Sequence, residues 1–168
     1  MRKENKLVFS ICSILLEYPN DELINLIPEI EKVLNYLPGK AKDYIKNFID
    51  YVKSKDLIEI QKEYVSTFDL NAGNSLHLSY HIYKDEPERG AELYNLKQAY
   101  MSEGFLIEKS EFADYLPLIL EFLGLVNTDH DKLLFKFIPV LKKLAGNLEK
   151  SGSKYYFIMK ACLETILG

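Results

Sequence analysis

The chain has 168 residues with 21 basic and 25 acidic side chains, a formal charge of −4, and a 48% hydrophobic share that suffices for one core at single-domain size. That balance argues against the clustered Lys and Arg of a nucleic-acid surface. Two cysteines, Cys12 and Cys162, sit in apolar helical patterns near opposite ends, which suits reduced thiols in the cytoplasm better than an exported disulfide framework.

The apolar run from Leu7 to Leu16 is too short to span a bilayer and lacks a small-residue cleavage site, so neither an export signal nor stable membrane insertion is expected. Leu7, Ile11, Ile14, Leu15 and Tyr18 recur at helical spacing and predict a first helix that stops at Pro19. Asn20 opens a second, with Asp21 and Glu22 in its first turn where carboxylates meet the dipole, running towards Leu37 with a kink or break at Pro28. After Pro38-Gly39, Tyr44, Phe48, Ile49 and Val52 mark a third helix that ends near Ser54. Asp56 and Glu59 form a capping box ahead of the stripe Leu57, Ile60, Tyr64 and Phe68, and this helix ends near Asp69, before the loop-type cluster Asn71 to Asn74.

From Leu76 to Ile82 the pattern alternates as in a strand, while Leu76, Ser79, Tyr80 and Tyr83 fit a helix equally well. Pro87 suits the first turn of a helix whose buried stripe is Leu93, Leu96 and Tyr100 and which Gly104 terminates. Asp114 reads as the N-cap of the next helix, with Pro117 in its first turn. Between Tyr115 and Val126 only Tyr115 and Glu121 ionise, so this helix belongs at the centre of the bundle. Stretches from about Asp129 to Lys150, disturbed at Pro139, and from Tyr155 to Leu167 complete an all-α, single-domain bundle of about seven to nine helices over residues 1–168.

Charge is uneven along this bundle: residues 56–121 carry five basic and thirteen acidic side chains, which is either a solvated acidic face or a match for a basic peptide. Asp114 caps its helix, turns a lone pair towards a partner, or does both. Glu121, set among Ile119, Leu120, Phe122 and Leu123, is either half of an internal pair with Arg89 or Lys97, or the base of a groove. Tyr64, Tyr80, Tyr100 and Tyr115 are either core residues or groove walls that join apolar area to a hydroxyl. His77, His81 and Asp85 lie at helical spacing, but a zinc site needs three or four ligands and no cysteine or further histidine is near in sequence. With no phosphate loop, no Ser-His-Asp pattern and no Glu-x-x-His pair, the chain reads as a non-enzyme without cofactor, metal or catalytic residue.

Several blocks carry a more specific likeness. Tyr64-Val65 with Thr67-Phe68-Asp69, Ser75-Leu76 with Leu78 and Tyr80, Arg89-Gly90, Leu96-Lys97 with Tyr100, Gly104-Phe105, and Asp114-Tyr115-Leu116-Pro117 before Leu120-Glu121-Phe122 follow one another in a familiar order and spacing. In these blocks the chain resembles the nitrate reductase delta-subunit family of molybdoenzyme assembly chaperones, which also includes the trimethylamine-oxide and dimethyl-sulfoxide reductase chaperones. The resemblance is strong over residues 60–126; the flanking helices match in length and amphipathic character only. Where some relatives carry Glu-x-x-Asp-His, this chain has Glu111, Asp114 and Tyr115, the tyrosine being typical of the nitrate reductase branch. His77 and His81 stand where aromatics are expected, and the Asn71 to Asn74 loop lacks the arginines often found there.

The resemblance implies an all-helical cytoplasmic chaperone. Its partner would be the N-terminal segment of an unassembled molybdoenzyme catalytic subunit, held until cofactor is inserted. Candidate contacts to that segment are Tyr64, Phe68, Asp69, Tyr80, Arg89 and Lys97. Tyr100, Asp114, Tyr115, Leu116 and Glu121 complete the set. The alternative is a generic helical adaptor with an unrelated partner.

Overall fold

The computed structural model describes residues 2–127 and 130–168, without the side chain of Asp131. Among the described residues the chain is all-α: α1 (Lys3–Leu16), α2 (Asp21–Val33), α3 (Gly39–Lys53), α4 (Leu57–Tyr64), α5 (Leu78–Tyr83), α6 (Glu88–Ser102), α7 (Leu116–Leu125), α8 (Ile138–Lys150) and α9 (Tyr156–Leu167). The expected helices are therefore present, and most of their signals act as read. The Asn20 side chain accepts from the Leu23 amide at 2.9 Å to start α2, and Glu59 accepts from the Asp56 amide at 3.0 Å to start α4. Gly104, at φ 73°, closes α6 in a left-handed turn: its amide reaches the Met101 carbonyl, the Phe105 amide reaches that of Tyr100, and the Tyr100 and Phe105 rings pack 5.6 Å apart.

Of three local expectations, those at Pro28 and Asp114 are corrected and that at Pro139 takes a definite form. Pro28 does not break α2, which runs unbroken through it; Pro28 and Ile24 both lie on the exposed face, so the carbonyl that Pro28 cannot bond is left to water. The disturbance at Pro139 is a change of helix type, from a 3-10 stretch (Asp131–Phe137) to α8, with Pro139 in the first turn; the expected start at Asp129 lies outside the described residues. Asp114 does not cap α7, whose N-cap position is Tyr115; its carboxylate is used elsewhere. The open stretch at Leu76 to Ile82 combines both readings, an isolated antiparallel bridge between His77 and Tyr115 followed at once by α5.

The core explains this arrangement. α9 packs against α1, α3 and α8, and α1 packs in turn against α7. Every residue of α7 from Leu116 to Leu120, together with Phe122 and Leu123, is buried, as expected of a helix apolar on nearly all sides. Ser13 of α1 donates to the Pro117 carbonyl at 2.7 Å, tying the two helices at the α7 start. Cys12 and Cys162 are free, buried thiols on α1 and α9, and the hydrogen bond between them, with burial, pushes the Cys12 thiol well up.

Candidate functional site

One face of the bundle is cut by an open groove of about 720 Å³ where the end of α4, the start of α5, α6 and the segment before α7 converge. Its formation begins at α4, which ends in a wider π turn (Val65–Asp69) closed by the Leu70 amide on the Val65 carbonyl at 3.0 Å. A π turn leaves backbone groups out of register, and Asn74, itself buried, donates its side-chain amide to the Thr67 carbonyl at 3.1 Å. Phe68 and Asp69 on this turn thereby line the groove together with Tyr64.

Opposite them, the floor is held by one buried carboxylate. Asp114 is 0% exposed, and its Oδ2 accepts from the Ser79 amide at 3.0 Å, the Ser79 hydroxyl at 2.5 Å and Arg89 Nη2 at 3.3 Å, while Arg89 Nε donates to Ser79 Oγ at 3.1 Å. Asp114 thus satisfies an orphan amide in the first turn of α5, a capping function exercised on another helix. Burial alone would raise its pKa; the donors His77 and Ser79 and the charge of Arg89 outweigh burial and hold the carboxyl below its ordinary value.

The walls are aromatic. His77 lies between Phe112 and Tyr115, with ring centroids at 5.5 and 5.3 Å, and its Nδ1 stands 3.5 Å from Asp114 Oδ1. The Arg89 guanidinium is flanked by Tyr80 and Phe112 at 5.7 and 5.4 Å. The Tyr64 hydroxyl donates to the Leu16 carbonyl at 3.0 Å and lies 3.3 Å from that of Tyr115; burial pushes the Tyr64 hydroxyl up to about 12. His81 faces away into a bond with the Ser75 carbonyl at 2.7 Å, and burial lowers its pKa, so Nε2 carries the donated proton of a neutral ring. The imidazoles of His77 and His81 thus have separate neighbours, and no cluster of three or more metal-ligand side chains exists among the described residues.

Of the candidate residues, the groove brings together Tyr64, Phe68, Asp69, Tyr80, Arg89 and Tyr115. Asp114 lies beneath them. Tyr100 and Leu116 are wholly buried supports: the Tyr100 hydroxyl donates to the Ala113 carbonyl at 2.6 Å and the Leu116 amide to the Leu76 carbonyl at 2.8 Å, fixing both sides of the segment that carries Asp114. Lys97 is exposed on α6 and outside the groove lining. Glu121 is exposed and not the internal partner of Arg89, which belongs to Asp114. His77, Phe112 and Glu111, absent from the candidate set, all line the groove.

Around the Tyr115 wall the charge is acidic. Burial, then the fields of Glu111 and Glu121, push the Glu17 carboxyl up, and burial and Glu111 do the same to Glu121. A carboxyl whose folded pKa is raised costs stability above that pKa, and the cost vanishes once both folded and unfolded states are protonated. Glu17→Gln is therefore expected to raise the urea midpoint at pH 7, with the advantage fading as pH falls through the raised folded value and gone below the ordinary glutamate value of 4.5. An advantage that persisted or grew in acid would contradict this repulsion.

Comparison with known proteins gives a consistent result. The family model "Nitrate reductase delta subunit" matches residues 34–146. The chain is 30% identical to the probable nitrate reductase molybdenum cofactor assembly chaperone NarJ of Bacillus subtilis, over 97% of this chain and 91% of that protein. It is 27% identical to two Escherichia coli proteins, the probable assembly chaperone NarW, over 94% of this chain and 67% of that protein, and the assembly chaperone NarJ, over 92% and 67%.

Proposed function

The chain belongs to the nitrate reductase delta-subunit family, and on that premise we propose that it is a cytoplasmic chaperone that binds the N-terminal segment of an unassembled, nitrate reductase-like catalytic subunit and assists cofactor insertion. The observation that carries this reading is the groove: its walls are built from the Tyr64 to Asp69, Ser75 to Tyr80, Arg89 and Tyr115 blocks that carry the resemblance. The role needs a surface that grips an amphipathic segment without reacting with it. Tyr80, Phe112 and Tyr115 offer apolar area with polar edges, backed by the buried rings of Tyr64 and Phe68, and apolar burial supplies most of the affinity. Glu111 and Asp69 on the rim set on-rate and orientation. No described helix is long and apolar enough to cross a membrane.

Titration with a synthetic peptide from the N-terminus of the molybdoenzyme catalytic subunit of the same organism tests this. Saturable binding with a Kd below about 50 µM is expected, and its absence overturns the proposal. Phe112 is 51% exposed, so Phe112→Ala removes a groove wall without opening the core. It is expected to weaken the peptide by about 2 kcal/mol, roughly thirtyfold, with an unchanged urea midpoint.

A further inference from the structure

The groove is too small to hold every anchor of an amphipathic segment. Its volume of about 720 Å³ is that of a small-molecule pocket, with room for a few side chains, whereas such a segment presents anchors at i, i+3, i+4 and i+7, spread over about 10 Å. The remaining anchors of a bound segment rest on surface that adjoins the groove. Among the described residues, the exposed aromatic side chains outside the lining are Tyr18, Tyr36, Tyr94 and Phe135. Of these, Tyr18 packs its ring on a groove residue, in an edge contact with Tyr64 at 5.7 Å.

Tyr18 is held in place from both sides. It lies in the corner at residues 17–19 between α1 and α2, and α4 grips that corner twice. The Tyr64 hydroxyl donates to the Leu16 carbonyl at 3.0 Å, and the Gln61 side-chain amide donates to the Pro19 carbonyl at 2.9 Å. Gln61 and Tyr64, three residues apart, act from one face of their helix. Pro19 restricts its own backbone, and Asn20 caps α2 immediately afterwards. The corner is therefore ordered before any partner arrives, while the Tyr18 ring stays 48% exposed. A tyrosine placed in this way offers a large contact area at little entropic cost on binding.

Resting on the reading that the groove receives the client segment, we propose that Tyr18 is a further contact for that segment: a shelf beyond Tyr64 on which an apolar or aromatic side chain of the client rests when its neighbours fill the groove. The shelf sets how much of the segment is read. A segment that only fills the groove binds, and one that also reaches Tyr18 binds more tightly and is preferred.

The sequence has no tryptophan, so Tyr18→Trp supplies a single fluorescent reporter on the shelf. Its emission is expected to move to shorter wavelength on titration with a tryptophan-free peptide from the N-terminus of the molybdoenzyme catalytic subunit. Tyr18→Ala is expected to weaken that peptide roughly tenfold, and Tyr18→Phe, which keeps the ring, to change it by less than about twofold. Peptides shortened stepwise from each end separate a contact from a disturbance of Tyr64. At one end, removing the residues that reach the shelf should cost the wild type about tenfold and cost Tyr18→Ala nothing further. An unchanged affinity in Tyr18→Ala, the same loss in that variant at every peptide length, or an unmoved tryptophan signal at saturation overturns the shelf and leaves the chaperone reading intact. Absence of any binding to the wild type overturns both.

Discussion

Asp114→Ala is expected to lower the unfolding free energy by about 3 to 5 kcal/mol, measured by urea denaturation at pH 7. The carboxylate is 0% exposed and serves three donors through one oxygen, so its removal strands the Ser79 amide and hydroxyl and leaves Arg89 without its counter-charge. Asp114→Asn keeps an acceptor for Ser79 but loses the charge, and should cost less. The pH dependence separates charge from hydrogen bonding. Because the folded carboxyl titrates below its ordinary value of 3.8, its stabilisation is fully present above that value and is lost as pH falls through the depressed one. The difference between wild type and Asp114→Asn should therefore stay level from pH 7 to about pH 4 and shrink only in stronger acid. A difference that vanished near pH 6 would show that the ion pair is not what Asp114 contributes. Hydrogen exchange should show the amides of α5 opening first in Asp114→Ala, since that helix loses the acceptor for its first turn.

The same residue shows where sequence reading stops. An aspartate just before an apolar helix is the usual signature of a cap on that helix, and nothing local distinguishes it from one bonded to Ser79, 35 positions away. The helices themselves were legible, because the stripe Tyr44, Phe48, Ile49 and Val52 or the turn at Gly104 is a property of neighbours in sequence. The groove is not such a property. It exists because the bridge between His77 and Tyr115 brings two distant segments together, and periodicity carries no information about that pairing. The family blocks located Tyr64, Tyr80 and Arg89 in it, but missed Phe112, whose one local signal is a large apolar residue in the polar run Lys109, Ser110, Glu111. Glu121 misled for the opposite reason: its sequence neighbours are buried, yet α7 leaves one line of positions open to solvent, and the glutamate occupies it.

Gly124→Val is expected to be the most damaging single change in the contact between α1 and α7. A Cβ at this position would fall 2.1 Å from Ser10 Oγ, 3.0 Å from the Ser10 amide nitrogen and 3.2 Å from the Lys6 carbonyl oxygen. Those obstacles are not equal. The Ser10 hydroxyl can rotate away, and the remaining backbone contacts are relieved by a shift of a few tenths of an ångström. Gly124→Ala should therefore cost little, because a helix-propensity gain of about 1 kcal/mol offsets the crowding. Valine adds two methyl groups that meet the α1 backbone itself, so the helices must part, and a loss of about 3 kcal/mol or more is expected in urea unfolding. The damage should reach the groove, since the Leu16 carbonyl at the end of α1 holds the Tyr64 hydroxyl and Glu17 follows it directly. Peptide affinity in Gly124→Val, measured where the protein is still fully folded, should fall while that of Gly124→Ala does not. Equal stability of the two variants would mean that α1 and α7 are not in the close backbone contact on which the Tyr64 wall depends.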